Sequence, residues 1–307
     1  MQTAYISHPD CLKHDMGTHH PECPARLGAI HDQLIATGLL PYLQQHDAPL
    51  ATTEQLARVH SQHHIEAIHA AAPKQGMIQL DPDTAMNPYS WNAALRAAGA
   101  AVLAVDLLMQ GKAENAFCAV RPPGHHAESG RAMGFCIFNN VAVGVAHAMA
   151  QYGLKRIAIA DFDVHHGNGT EQIFRNDARV MLCSTFQHPY YPYTGADSGN
   201  EHIVNVPLPA GTDGSAFRAA VSENWLPALE RFRPQMLFVS AGFDGHRDDD
   251  MAQFNLLEAD YAWVTQQLKE VAARHAQGRI VSLLEGGYEL HALGRSALAH
   301  IRELSGL

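Results

Sequence analysis

Residues 157–169 read Ile-Ala-Ile-Ala-Asp-Phe-Asp-Val-His-His-Gly-Asn-Gly. The run from Ile157 to Phe162 is apolar and partly β-branched until acids interrupt it, as expected of a strand buried on both faces of a parallel sheet. Asp161, Asp163 and His165 then follow at alternate positions, so in an extended segment their side chains share one face. A buried carboxylate must be paired, protonated or bound to metal, because an isolated buried charge is costly. Asp163 and His165 offer one hard and one borderline donor, a pair suited to zinc. The competing reading of these residues alone is a strand end capped by ion pairs.

Outward from this stretch the same design repeats. Strands are expected over Thr3–Ile6, Phe117–Val120, Val180–Ser184, Ile203–Val206, Met236–Ser240 and Ile280–Leu284. Helical patterns separate them, over Ser90–Gln110, Asn140–Tyr152, Ala216–Arg231 and Glu258–Ala276. Such alternation predicts an α/β fold with a mostly parallel sheet covered on both faces. With no repeat and no Pro/Gly/Ser-rich linker, residues 1–307 read as one domain. In sheets of this kind ligands bind beyond the carboxyl ends of the strands.

Three further strand ends carry chemistry. Met236–Asp244 ends in Asp244, the natural third ligand, and the acids Asp248, Asp249 and Asp250 beyond it read as a solvated loop. Phe117–His126 runs through Arg121-Pro-Pro-Gly into His125 and His126. Adjacent side chains diverge, so this pair suits flanking a water, one as base and one as charge stabiliser, better than binding one metal. Ile280–Tyr288 turns at Gly286 and Gly287 and presents Tyr288, a donor for an oxyanion. Each motif alone has a structural explanation. Together they give three ligands and an open position, the arrangement of a catalytic rather than a structural zinc.

Composition narrows the partners. A net charge of -10 over 307 residues is a poor basis for gripping a phosphate backbone, so no nucleic acid is expected. The 47% hydrophobic content fits a compact protein with a large core. Five cysteines, with no C-x-x-C pair, predict neither a disulfide framework nor a thiolate zinc site. No signal peptide and no run of 18 apolar residues is seen, so a cytoplasmic protein without a membrane partner is expected. His60 and His64 can share a helix face, and they read as solvated.

The motif set resembles the zinc-dependent histone deacetylase family, including its bacterial amidohydrolase and acetylpolyamine amidohydrolase members. The segments that carry the resemblance are H-P-E-C-P-A-R-L from His20, R-P-P-G-H-H-A from Arg121, G-F-C-I-F-N-N from Gly134, D-F-D-V-H-H-G-N-G-T from Asp161, S-A-G-F-D from Ser240 and E-G-G-Y from Glu285. The resemblance implies an arginase-like three-layer α/β/α sandwich. It implies one Zn2+ per chain on Asp163, His165 and Asp244, with His125 paired to Asp161 and His126 to Asn168, where some members have Asp. It implies Tyr288 on the scissile carbonyl, and Phe135 and Tyr191 as walls of an acyl-lysine tunnel, with Gly134, Asp83 and Met251 around the substrate. It also implies a K+ near the zinc, on the backbone carbonyls of Asp161, Asp163 and His165 and the hydroxyl of Ser184.

The chain departs from the family at the rim, where Phe186 replaces a frequent His, Pro-Tyr-Thr-Gly at 192–195 replaces Pro-Gly-Thr-Gly, and Asp250 replaces a frequent Pro. Met251 stands where a polyamine-selective relative has an acid, which favours acetyl-lysine peptides or proteins over small acetylated amines. A binuclear manganese hydrolase of guanidines needs more bridging carboxylates than a segment with Gly242 two before Asp244 provides. A dead acetyl-lysine binder would lack one of the ligands, the tandem histidines or Tyr288. The ligand set does not choose among zinc, iron and cobalt, and no heptad pattern speaks to oligomeric state.

Overall fold

The computed structural model describes residues 2–307. Its centre is a sheet whose eight strands are all parallel. They are β1 (Thr3–Ser7), β2 (Gln44–Asp47), β5 (Asn115–Cys118), β6 (Ile157–Asp161), β7 (Val180–Gln187), β8 (Ile203–Leu208), β9 (Met236–Ala241) and β10 (Ile280–Leu284), in the spatial order β2-β1-β5-β10-β9-β6-β7-β8. A short antiparallel hairpin, β3 (Ile78–Asp81) and β4 (Thr84–Met86), stands apart from it. Every residue of β5, β6, β7, β9 and β10 is buried. This is why those strands read as unbroken apolar runs.

Helices cover both faces and complete the α/β/α sandwich. One layer holds α4 (Ser90–Met109), α5 (Asn140–Tyr152), α6 (Asn168–Phe174) and α2 (Thr53–Leu56), with α3 (Gln62–Ala71) nearby. The other holds α1 (Ala25–Ala36), α10 (Leu290–Ser305), α9 (Glu258–His275), α8 (Leu226–Phe232) and α7 (Gly214–Ala220). The fold class expected from the sequence is therefore the one observed. Helix α4 is long and apolar enough to span a membrane, yet 72% of its apolar window is buried inside the protein, against the sheet and α5. Its approach to a neighbouring loop demands glycine: a Cβ on Gly99 would lie 1.9 Å from the Pro49 carbonyl oxygen.

The elements differ from expectation at their edges. The strand expected over Phe117–Val120 spans Asn115–Cys118, and β7 and β8 run on to Gln187 and Leu208. The helix expected over Ala216–Arg231 starts at Gly214 behind the Asp213 cap, and its middle, Val221–Trp225, is a π-helical turn. Pro227 lacks the N–H that an unbroken α-helix would use there, and the Leu226 N–H bonds back to Val221 instead. The polar strand β2, the hairpin and α1, α2, α6 and α10 carry no expectation from the sequence reading, and α3 is touched on only through the helix face suggested for His60 and His64.

Register positions the site. Asp161 pairs with Ser240, Ser240 with Leu283, and Leu283 with Cys118. The central strands β5, β10, β9 and β6 thus end level with one another, and the segments that leave them meet above the sheet.

Candidate metal and catalytic centre

Asp163, His165 and Asp244 converge: one donor atom from each lies within 4.8 Å of the others, and all three residues are buried. His165 Nδ1 faces Asp163 Oδ1 and Asp244 Oδ2, each at 3.1 Å. Backbone N–H groups hold the carboxylates in place. Gly286 donates to Asp163 Oδ2 (2.8 Å), His165 to Asp163 Oδ1 (2.9 Å) and Val164 to Asp244 Oδ1 (3.1 Å). Two glycines make the room. A Cβ on Gly242 would sit 2.0 Å from Asp163 Oδ2, and one on Gly286 would sit 2.0 Å from Asp244 Oδ2.

The electrostatics of this cluster fit a cation. Burial and the adjacent Asp163 charge push Asp244 up to about 6. His165 is lifted well above its ordinary value, because Asp163 and Asp244 outweigh the burial that opposes its charge. Two buried carboxylates facing one imidazole form a donor set that a divalent ion would neutralise.

The tandem histidines lie beside this cluster with different partners. His125 Nδ1 bonds Asp161 Oδ2 at 3.0 Å, and its Nε2 lies 3.8 Å from Asp163 Oδ2. Burial opposes its charge, but Asp163 and Asp161 prevail and raise it to about 10. His126 is driven well below its ordinary value by burial, then by the charges of His125 and His165. Its Nδ1 meets Asn168 Oδ1 at 2.8 Å. The Asn168 amide is oriented by its own donation to Glu128 Oε1 at 3.0 Å. His126 is therefore neutral and protonated on Nδ1, which leaves Nε2 as an acceptor.

Above the cluster opens a cavity of about 330 Å³, lined by His126, His165, Tyr288, Phe135, Tyr190, Tyr191, Tyr193, Met251, Gly134 and Asp83. Phe135 stands edge-on to Tyr288 (5.8 Å) and Tyr191 edge-on to His126 (5.2 Å). The wall at Gly134-Phe135 turns through two residues of positive φ, +56° and +67°. A Cβ on Gly134 would strike the His126 ring at 2.4 Å. The hairpin braces this wall, with Asp83 Oδ1 accepting the Gly134 N–H (3.1 Å) and Thr84 Oγ1 the Phe135 N–H (2.9 Å). The Tyr288 phenol is held well above its ordinary value by burial and by Asp244, so it stays a donor.

Of the residues singled out from the sequence, His126, His165, Tyr288, Phe135, Tyr191, Gly134, Asp83 and Met251 line this cavity, Asp163, Asp244, His125 and Asn168 pack against those lining residues, and Asp161 stands behind His125. Ser184, on β7, is buried beside its register partner Asp161 on β6, with its hydroxyl 3.4 Å from His166 Nδ1. Two readings are corrected. Asp249 is buried rather than solvated, and its carboxylate accepts backbone N–H groups of Tyr288, Glu289 and Met251. His60 and His64 are also buried; they bond the carbonyls of Glu128 and Ile137, and so support the loop that carries the aromatic wall.

Sequence reasoning also missed several supports. Glu285 is fully buried, pushed up to about 7 mainly by burial, and accepts the N–H groups of Gly124 (2.7 Å) and His125 (3.1 Å). Glu22 is buried between Arg26 and Arg121. The charged types alone signalled something at these positions, but not which backbone they would hold. A separate hollow of about 430 Å³ at β1 and β2, lined in part by His8, His31 and His46, contains none of the catalytic candidates.

Comparison with known proteins agrees with this geometry. Residues 20–304 match the histone deacetylase domain family. The chain is 37% identical to a histone deacetylase-like amidohydrolase of Pseudomonas aeruginosa, covering 100% of this chain and 87% of that one. It is 36% identical to a probable deacetylase of Archaeoglobus fulgidus, again over 100% and 87%. The crystal structure of the HDA15 HD domain superimposes with a TM-score of 0.94 at 35% identity, over 99% of this chain and 90% of that one. The chain belongs to the histone deacetylase family.

Proposed function

We propose that the protein is a zinc-dependent deacetylase that hydrolyses the side-chain amide of acetyl-lysine in peptides or proteins. The observation that carries this reading is one shared cavity: it is lined by His126, Tyr288 and His165, and His165 brings to it the buried Asp163 and Asp244 carboxylates that it faces. Zinc held by those three residues would supply Lewis-acid polarisation of the amide carbonyl and a lowered pKa for attacking water.

The chain's own groups do the rest. His126 Nε2 is the free acceptor of the site and takes the proton of the attacking water. His125, held by Asp161, carries positive charge beside the developing negative charge. Tyr288 donates its phenolic hydrogen bond to the carbonyl oxygen as that oxygen becomes an oxyanion. The nitrogen of the departing amine then takes a proton from the histidine pair, and acetate and free lysine result. Phe135 and Tyr191 enclose the butyl stem of lysine. Met251 at the rim adds apolar surface where a cationic chain would favour an acid. On the same reading, the backbone carbonyls of Asp161, Asp163 and His165 and the Ser184 hydroxyl are the groups that would hold a K+.

A panel of acetyl-lysine peptides and acetylated polyamines, assayed with and without chelator, tests the proposal. Peptide turnover is expected to exceed polyamine turnover, to vanish with the metal and to return with Zn2+. Tyr288→Phe is expected to lose roughly 100- to 1000-fold in kcat. Full activity after complete metal removal would overturn the mechanism, and preference for the polyamines would overturn the substrate.

A further inference from the structure

Tyr288 sits on a segment that has little to hold it locally. Gly287 before it has φ +116°, a conformation open essentially to glycine, and α10 begins only at Leu290. The segment is gripped instead from two sides. Arg26 takes its carbonyls, with Nε donating to Gly287 O at 2.6 Å and Nη2 to Glu285 O. The same guanidinium lies 4.9 Å from the centre of the Tyr288 ring. On the opposite side one oxygen, Asp249 Oδ2, accepts both the Tyr288 N–H (2.6 Å) and the Glu289 N–H (2.9 Å). The second oxygen, Oδ1, accepts the Met251 N–H at 3.0 Å.

We infer that Asp249 is a positioning residue for Tyr288, and that its carboxylate ties the tyrosine to the specificity-determining rim at Met251. The inference rests on the donor role proposed for Tyr288. The carboxylate touches neither the cluster of metal donors nor the cavity, yet it fixes the backbone from which the phenol projects. Because Asp249 is only 5% exposed, no water can replace it without reopening the loop. A group held to within a fraction of an ångström loses much of its effect when its support loosens, and a displacement of about 1 Å costs on the order of 100-fold. The shared carboxylate also means that a change at the rim reaches the oxyanion donor through one side chain.

A double-mutant cycle with Asp249→Asn and Tyr288→Phe tests this, with zinc content and melting temperature measured for each variant. Asparagine keeps the shape but offers a single acceptor oxygen, so it cannot serve Tyr288 and Met251 together. The expected result is a loss in kcat of roughly 10- to 100-fold for Asp249→Asn, with KM for an acetyl-lysine peptide nearly unchanged and zinc content intact. In the Tyr288→Phe background the same substitution is expected to cost almost nothing further, since the group it positions is gone. An equal loss in both backgrounds, or wild-type kcat in Asp249→Asn, overturns the inference. If Asp249→Asn does not fold, Asp249→Ser and Asp249→Glu replace it in the cycle, and failure of all three to fold or hold zinc also overturns it, because the residue is then a general structural one. Near-normal turnover in Tyr288→Phe alone instead defeats the donor role itself.

Discussion

His126 can act as a base only while its Nε2 is unprotonated, and its surroundings favour this by burial, then by the neighbouring His125 charge. Its partner Asn168 orients the ring without adding negative charge, and Glu128 fixes which end of that amide faces the histidine. Asn168→Asp would place a carboxylate against Nδ1 and stabilise the imidazolium, raising the pKa of His126. A base works above its pKa, so the acid limb of the kcat/KM profile is expected to move to higher pH. A pH–rate profile of the variant with an unmoved acid limb would count against His126 as the base. The amide and its carboxylate anchor were only half visible in the sequence: Asn168 stood inside a recognisable motif, whereas Glu128 looked like any loop acid.

At the scale of elements, the loops after β9 and β10 do more than connect. Gly242 and Gly286 leave just enough space for the Asp163 and Asp244 carboxylates, and Gly286 also donates its N–H to Asp163. Gly286→Ala is expected to push these carboxylates apart and to lower zinc occupancy by at least ~10-fold, with little loss of helical signal; second-sphere changes at metal sites typically cost that much affinity. Metal analysis after dialysis against a buffered zinc concentration checks it, and full occupancy would show that the loop can yield. The sequence made these strand ends legible because chemistry follows each apolar run directly. It hid β2, whose Gln-Gln-His-Asp has no apolar pattern, and the hairpin that braces Phe135, because both are short and gain their stability from neighbours. It hid the role of Asp249 for a different reason: a run of acids reads as solvated until a distant backbone supplies the N–H groups.

Over the whole molecule, the layers fit closely enough that single atoms matter. Gly99 brings α4 against the Pro49 backbone, where a methyl group would lie 1.9 Å from the carbonyl oxygen. Because that obstacle is backbone and not a mobile side chain, Gly99→Ala is expected to destabilise the fold by about 1–3 kcal/mol despite alanine's better helix propensity. The midpoint of a urea titration measures this, and a stabilised variant would mean that the loop moves freely. The parallel arrangement was readable from alternation alone, but the strand order was not, since nothing local says that β10 belongs between β5 and β9.

That placement has a consequence for how the protein is made. Ribosomes deliver β10 after every other strand, yet it lies in the middle of the sheet. Until residues 280–284 emerge, the halves β2-β1-β5 and β9-β6-β7-β8 have no shared partner to zip them together, and the Asp163 carboxylate lacks the Gly286 N–H that helps to hold it. A nascent chain therefore exposes two hydrophobic sheet edges while it waits for its final strand, a period in which chaperone protection matters most.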